Sequence, residues 1–330
     1  MDVDDDDAPP DLPEVWFEDG NIVIRAENTQ FRVYRGVLAA KSPVFQDMFS
    51  IFQPIDSETV DGCPLIRLPD VATAEVAVFL KAIFDSAFFE TYPSPSRIEH
   101  IIGILRLSHK YNVEYLKRRA LTHLSAAFPT ERTAFRAERG ELWDTIPRNP
   151  PPYMSIIQLA REVEALWILP SAFYELVDAC AEAQDLLECI REQVVYNGRT
   201  IQLSEEDKAA LLEGYLAQLN AGPSEMMRFL HQNLDIIGCT NPLRCLKSRM
   251  RAIEIVRLDR SANVKGLRLD PLLLWDSDDD WERLDALCSR CILSLKLTHS
   301  EAQQAFWDQL PQMFGLPPWE ALLVMKTNAM

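Results

Sequence analysis

The stretch from Gly20 to Ser50, GNIVIRAENTQFRVYRGVLAAKSPVFQDMFS, constrains the fold more than any other part of this chain. Ile22-Val23-Ile24 is a short β-branched run that breaks at Glu27-Asn28, and Phe31, Val33 and Tyr34 then resume an extended pattern. Two such runs around an Asn-containing break predict a β-hairpin. The period then changes. Val37, Leu38, Val44, Phe45, Met48 and Phe49 recur at helical spacing, and Ser42 followed by Pro43 suits an N-cap with proline in the first turn. A hairpin therefore feeds two short helices, with Phe45 expected in the core beside Leu38 and Met48.

The chain has 330 residues, enough for about two domains. Hydrophobic residues make up 48%, which is globular rather than disordered. Its formal net charge of -17 argues against a surface that binds nucleic acid or anionic membrane over its whole extent. The opening MDVDDDDAPPDLP lacks the basic and apolar regions of a secretory signal. Seven cysteines are too sparse for a disulfide scaffold. The expectation is an intracellular protein of the cytoplasm or nucleus, with no membrane span.

Residues 1–13 are acidic and proline-broken, a tail not expected to fold. A third strand is expected between Pro64 and Pro69. A helix capped by Thr73 follows, with Val76, Phe79, Leu80, Ile83 and Phe84 along one face. After a loop at 91–96, two more helices run to about Ala127. Prolines and Gly140 mark 128–152 as a linker or long loop, to which Trp143 could add a pin. The remainder, 153–330, reads as helical. Ile156, Leu159, Val163 and Leu166 share one face, and so do Leu211, Leu212, Tyr215 and Leu219 behind a capping box of Ser204 and Asp207. Leu246, Met250 and Ile253 are expected inward, and Thr298 with Glu301 is expected to start another helix.

The order of elements, together with Phe31-x-Val33-Tyr34-Arg35, Val37-Leu38-Ala39-Ala40-Lys41-Ser42-Pro43-Val44-Phe45 and Leu107-Ser108-His109-Lys110-Tyr111, resembles a BTB/POZ domain over 14–127. The expected fold class is thus α+β, a BTB/POZ domain followed by an α-helical domain. Ile168-Leu169-Pro170, the Cys288-x2-Cys291 pair and the closing Leu310-Pro311 to Trp319 string look similar to a group of uncharacterised fungal BTB proteins. The resemblance implies assembly rather than catalysis: a homodimer, with a cullin scaffold or a corepressor as further partners. It assigns the dimer face to Trp16, Val37, Leu38, Ala39, Ala40, Val44, Met48 and Phe49. Two readings of Val15-Trp16-Phe17 stand side by side, a plug for the core or a leading strand that pairs with a partner subunit. Asn21 replaces the family's frequent aspartate, and Tyr34-Arg35 replaces a histidine-containing entry. Both changes count against a corepressor pocket, with Lys41 left as its basic member.

No enzyme motif is present: the eleven glycines include no G-x-G, and neither G-x-S-x-G nor H-E-x-x-H occurs. Cys63, Cys180 and Cys189 read as isolated buried thiols. Cys239-x5-Cys245 and Cys288-x2-Cys291 differ, because two local pairs of thiolates can surround one tetrahedral Zn²⁺, with His299 as a substitute ligand. The same spacing also suits four core thiols that share helix faces. Between 244 and 268 stand eight basic residues (Arg244, Lys247, Arg249, Arg251, Arg257, Arg260, Lys265, Arg268) and two acidic ones. They form either a solvated helix face or a patch for an acidic partner or nucleic acid. The function expected is a homodimerising scaffold or adaptor; the alternative is a transcriptional regulator that uses this basic segment and a zinc site.

Overall fold

The computed structural model describes residues 15–50, 58–138, 146–180, 183–221, 225–231, 236–262, 271–275, 278–284 and 286–330. The acidic tail 1–13, Trp143, Lys265 and Arg268 lie outside the described residues, as do the side chains of Arg257 and Arg260. Strands β1 (Ile22–Ala26) and β2 (Thr29–Val33) form the hairpin, with Ile22 opposite Val33 and Ile24 opposite Phe31. Helices α1 (Arg35–Lys41) and α2 (Pro43–Ser50) follow. The chain returns through β3 (Thr59–Val60) and β4 (Cys63–Arg67), which lies parallel to β1, so the sheet order is β2-β1-β4-β3. Alternation sends Ile22, Ile24, Phe31 and Val33 into the main core, and Val23, Cys63 and Leu65 into a small cluster on the other face.

Contrary to expectation, Thr73 does not cap helix α3 (Thr73–Phe84) but is its first residue. Glu27, held at φ 49 in the hairpin turn, reaches across to accept from Thr73 N–H at 3.1 Å and from the Thr73 hydroxyl at 2.7 Å. A carboxylate at a helix N-terminus complements its dipole, so the hairpin and the helix lock each other. Helices α4 (Ile98–Lys110) and α5 (Glu114–Ala127) complete this half.

The stretch expected as a linker instead carries α6 (Arg132–Glu138). Phe135 on it is buried, with its ring 5.1 Å from that of Trp307, and Arg132 donates to Gln303, Gln304 and Ser300. Helices α7 (Pro150–Glu162), α8 (Leu169–Ala179) and α9 (Ala183–Arg191) come next, then a hairpin of β5 (Val194–Tyr196) and β6 (Arg199–Ile201) and helix α10 (Glu205–Ala221). Leu212 and Leu219 face outward on α10, while Ala210, Leu211 and Gly214 face in. The chain ends with α11 (Arg228–His231), α12 (Pro242–Ala262), α13 (Asp278–Glu282), α14 (Ser289–Met313) and α15 (Trp319–Ala329). Thr298 starts no helix; it sits inside α14 and its hydroxyl donates back to Ser294 O.

One buried apolar core runs from Val15 to Leu322 and joins both halves. A buried ionic chain crosses the same seam. Arg106 of α4 bonds Glu75 of α3 and Glu162 of α7 (2.8 Å), and Arg199 of β6 reaches Glu75 at 3.3 Å. Burial pushes the Arg106 guanidinium down, but the Glu75 and Glu162 carboxylates outweigh this and hold it up. Trp167 donates to Ser125 across the seam at 2.9 Å. The helical part packs through α6 and α7 on the α4–α5 face. A second, smaller core gathers Met227, Phe229, Leu230, Ala252, Trp275, Trp281, Leu284 and Leu295 at the far end.

Candidate functional site

Two places collect the residues that the sequence singles out. The first is the outer face of α1 and α2. Ser42 caps α2 as expected: its hydroxyl accepts from Phe45 N–H at 3.0 Å and donates to the Tyr111 carbonyl. That bond ties the α1–α2 corner to the end of α4. Phe45 is fully buried, and Leu38 and Phe49 are buried beside it. Leu38 and Phe49 are therefore corrected: their side chains face inward and cannot form a contact face. Val37 and Ala40 are exposed, and Ala39, Val44 and Met48 are half-buried. Trp16 is 39% exposed; it bridges to Arg32 on the β2 edge, while Val15 is buried in the core and Phe17 packs its ring 5.0 Å from that of Tyr34. The segment plugs its own core with Val15 and Phe17 and presents Trp16 outward. Arg35 lies over the Phe49 ring and Lys41 over the Tyr115 ring, so cations rim this face.

The second place joins the loop before α12 to the start of α14. Asn241 caps α12 by accepting from Arg244 N–H at 3.2 Å, which sets Cys245 in the first turn and Cys239 in the loop just before it. Cys288 is the N-cap residue of α14 and Cys291 lies in that helix's first turn. Each pair thus brackets the start of one helix, and the longer spacing of the first pair is taken up by Thr240, Asn241 and Pro242. All four Sγ atoms lie within 4.8 Å of one another. Cys288 Sγ is 3.9 Å from Cys239 Sγ, and Cys288 N–H donates to Cys245 Sγ at 3.4 Å. Cys245 and Cys291 are buried; Cys239 and Cys288 are half-buried at the rim.

Backbone N–H groups of Thr240 and Cys291 pull the Cys288 thiol down to about 5, whereas burial pushes Cys245 and Cys291 up. Arg249, one turn beyond Cys245, is buried and donates to the Phe229 and Leu230 carbonyls at 3.0 Å. Burial lowers its pKa, and the Cys291 and Cys245 sulfurs act the other way. His299 stands apart from the sulfurs: its Nε2 contacts Leu274 O at 2.9 Å and its ring packs against Phe229 and Trp281. Met250 is 52% exposed rather than inward; among the described residues, Ala252 and Ile253 of α12 join the second core. Arg244, Lys247, Arg251 and Arg283 line a hollow of about 440 Å³ together with Asn241 and Ala286.

One cysteine pair escaped the sequence reading. Cys180 and Cys189, treated as isolated, have sulfurs 3.8 Å apart in the main core. Among the described residues no helix is long and apolar enough to cross a membrane. No curated protein and no solved structure matches the chain. The family model described as the BTB/POZ domain matches residues 17–127, from Phe17 beside the hairpin to the last residue of α5. Residues 17–127 thus form a BTB/POZ domain, an interaction module.

Proposed function

We propose that this protein is a self-associating scaffold, whose BTB/POZ half pairs with a second copy and whose helical half carries the recognition surface. The observation that supports this most directly is the α1–α2 face. Val37, 36% exposed, and Ala40 stand with the half-buried Ala39, Val44 and Met48, and Trp16 adds an exposed indole on the β2 edge of the same half. Small and apolar side chains without a charge among them suit close approach of an identical surface. A cullin scaffold or a corepressor would be a further partner of the assembled dimer, and the chain would act by bringing proteins together rather than by catalysis.

Sedimentation of the full chain tests the reading. A dimer at roughly tens of micromolar, an ordinary range for such assemblies, converted to monomer by Val37→Glu with Ala40→Glu, is the expected result. A parent chain that is monomeric under those conditions rejects it.

A second reading, a regulator that contacts nucleic acid, draws on the hollow lined by Arg244, Lys247, Arg251 and Arg283. Its test is a mobility shift with mixed-sequence DNA across a salt series. Binding that weakens steeply with salt, and is lost on Lys247→Glu with Arg251→Glu, would favour it. No shift at low salt would exclude it.

A further inference from the structure

We propose that Cys239, Cys245, Cys288 and Cys291 form a closed, structural zinc centre that clamps the start of α12 to the start of α14. The argument is independent of whether the BTB/POZ half dimerises.

Geometry comes first. Zinc held by four thiolates at about 2.3 Å requires sulfurs about 3.8 Å apart. The four Sγ atoms already lie within 4.8 Å of one another, and the Cys288–Cys239 separation is 3.9 Å. Small rotations of the side chains would complete a tetrahedron, with no movement of either helix. Four protein sulfurs leave no open position, so such a site holds structure and activates no water.

The surroundings suit the charge. A zinc tetrathiolate carries two net negative charges. Both helices present their N-terminal turns to the cluster, where unsatisfied N–H groups and the helix dipole favour negative charge. Cys288 N–H already points at Cys245 Sγ. Arg249 lies buried one turn along α12 from Cys245. The Cys245 and Cys291 sulfurs already act on the Arg249 guanidinium, which would help to balance the charge of ionised sulfurs.

The need for a clamp follows from the second core. Among the described residues it gathers eight buried apolar side chains beside the arginine-rich α12. Small cores of this kind gain stability from a metal whose ligands are brought together by folding. The pairs are distant in sequence, so a metal would close a loop between them and oppose loss of the α12–α14 contact.

Elemental analysis of the full chain, expressed without a metal-affinity tag, is the test, joined to X-ray absorption at the zinc edge. About one equivalent of zinc in a shell of four sulfurs at about 2.3 Å is expected. The Cys288→Ser variant with Cys291→Ser should lose at least about tenfold of that content by removing half the ligand set. Cys180→Ala with Cys189→Ala, at the other sulfur pair, should keep it. The measurement on the parent chain does not depend on how well the variants fold. Less than about a tenth of an equivalent of zinc, a shell of nitrogen and oxygen, iron in its place, or four thiols that all titrate as free in the purified chain would each overturn the proposal.

Discussion

The Phe45 ring stacks on the Tyr111 ring with centroids 4.6 Å apart and planes 17° from parallel. The first residue comes from α2 and the second ends α4, and the Ser42 hydroxyl bonds to both of their backbones. Local capping and long-range packing thus meet at one point. Burial also pushes the Tyr111 phenol up to about 12, so the ring stays neutral throughout the physiological range. Phe45→Ala should cost about 3–5 kcal/mol, the ordinary range for a fully buried phenylalanine. Urea unfolding measures it, and a midpoint near that of the parent would place the ring outside the core.

Arg106 is expected to be the least replaceable charged residue. Glu75, its partner, is 1% exposed, and Arg106→Met would leave that carboxylate with Arg199 as its remaining cation. A loss of about 3–5 kcal/mol is expected, because a broken buried pair strands a charge. Arg106→Met combined with Glu75→Leu should recover part of it. Equal losses for the single and double variants in denaturant titrations would show that the pair contributes nothing of its own.

Gly214 sits where α10 meets the Phe314 ring. A Cβ built there would lie 1.8 Å from a ring carbon, and that ring is itself stacked on Phe173 at 5.1 Å. Although alanine is the better helix former, Gly214→Ala should destabilise by about 1–3 kcal/mol through overpacking. Adding Phe314→Leu should relieve some of the strain. A thermal melt in which Gly214→Ala alone raises the midpoint would contradict the packing.

The pH dependence should carry a histidine signature. His123 is buried with Nε2 2.9 Å from Glu90 O; burial, and then Arg119, push its pKa below the usual value. Burial shifts His100 and His109 the same way. As pH falls below about 6.5 the unfolded chain takes up these protons first, so stability declines until the folded-state values are passed. Folding free energy should therefore be lower at about pH 5.5 than at about pH 7.5, and His123→Gln should reduce the difference. A variant with the parent's slope would exclude His123 as a source.

Much of the first half could be read from local chemistry. The hairpin break at Glu27-Asn28, the Ser42-Pro43 cap and the burial of Phe45 each depend on residues close in sequence, and all three are present. Within each cysteine pair closeness followed from spacing, whereas the meeting of the two pairs depends on how the start of α12 lies against the start of α14. What stayed hidden depends on partners far away. Thr73 resembles a cap, but Glu27 supplies the carboxylate from 46 residues earlier. Leu212 and Leu219 look like core residues because α10 is apolar on both sides, and only the neighbour that fills the Gly214 notch decides which side is covered. His299 suits a metal in sequence, whereas the fold spends it on the Leu274 carbonyl. Proline-rich 128–152 reads as a break, yet Pro150 to Pro152 open α7 and Phe135 anchors α6.

The unbroken core from Val15 to Leu322 sets what an assembled pair could do. With no slack between the interaction module and the helical half, two copies joined at α1–α2 would hold their far ends at one separation and one angle. Such a dimer would behave as a caliper. A ligand with two matching sites at that span gains from high effective concentration at the second contact, while one whose sites are closer or wider gains nothing. Selectivity would then reside in distance as well as in surface chemistry.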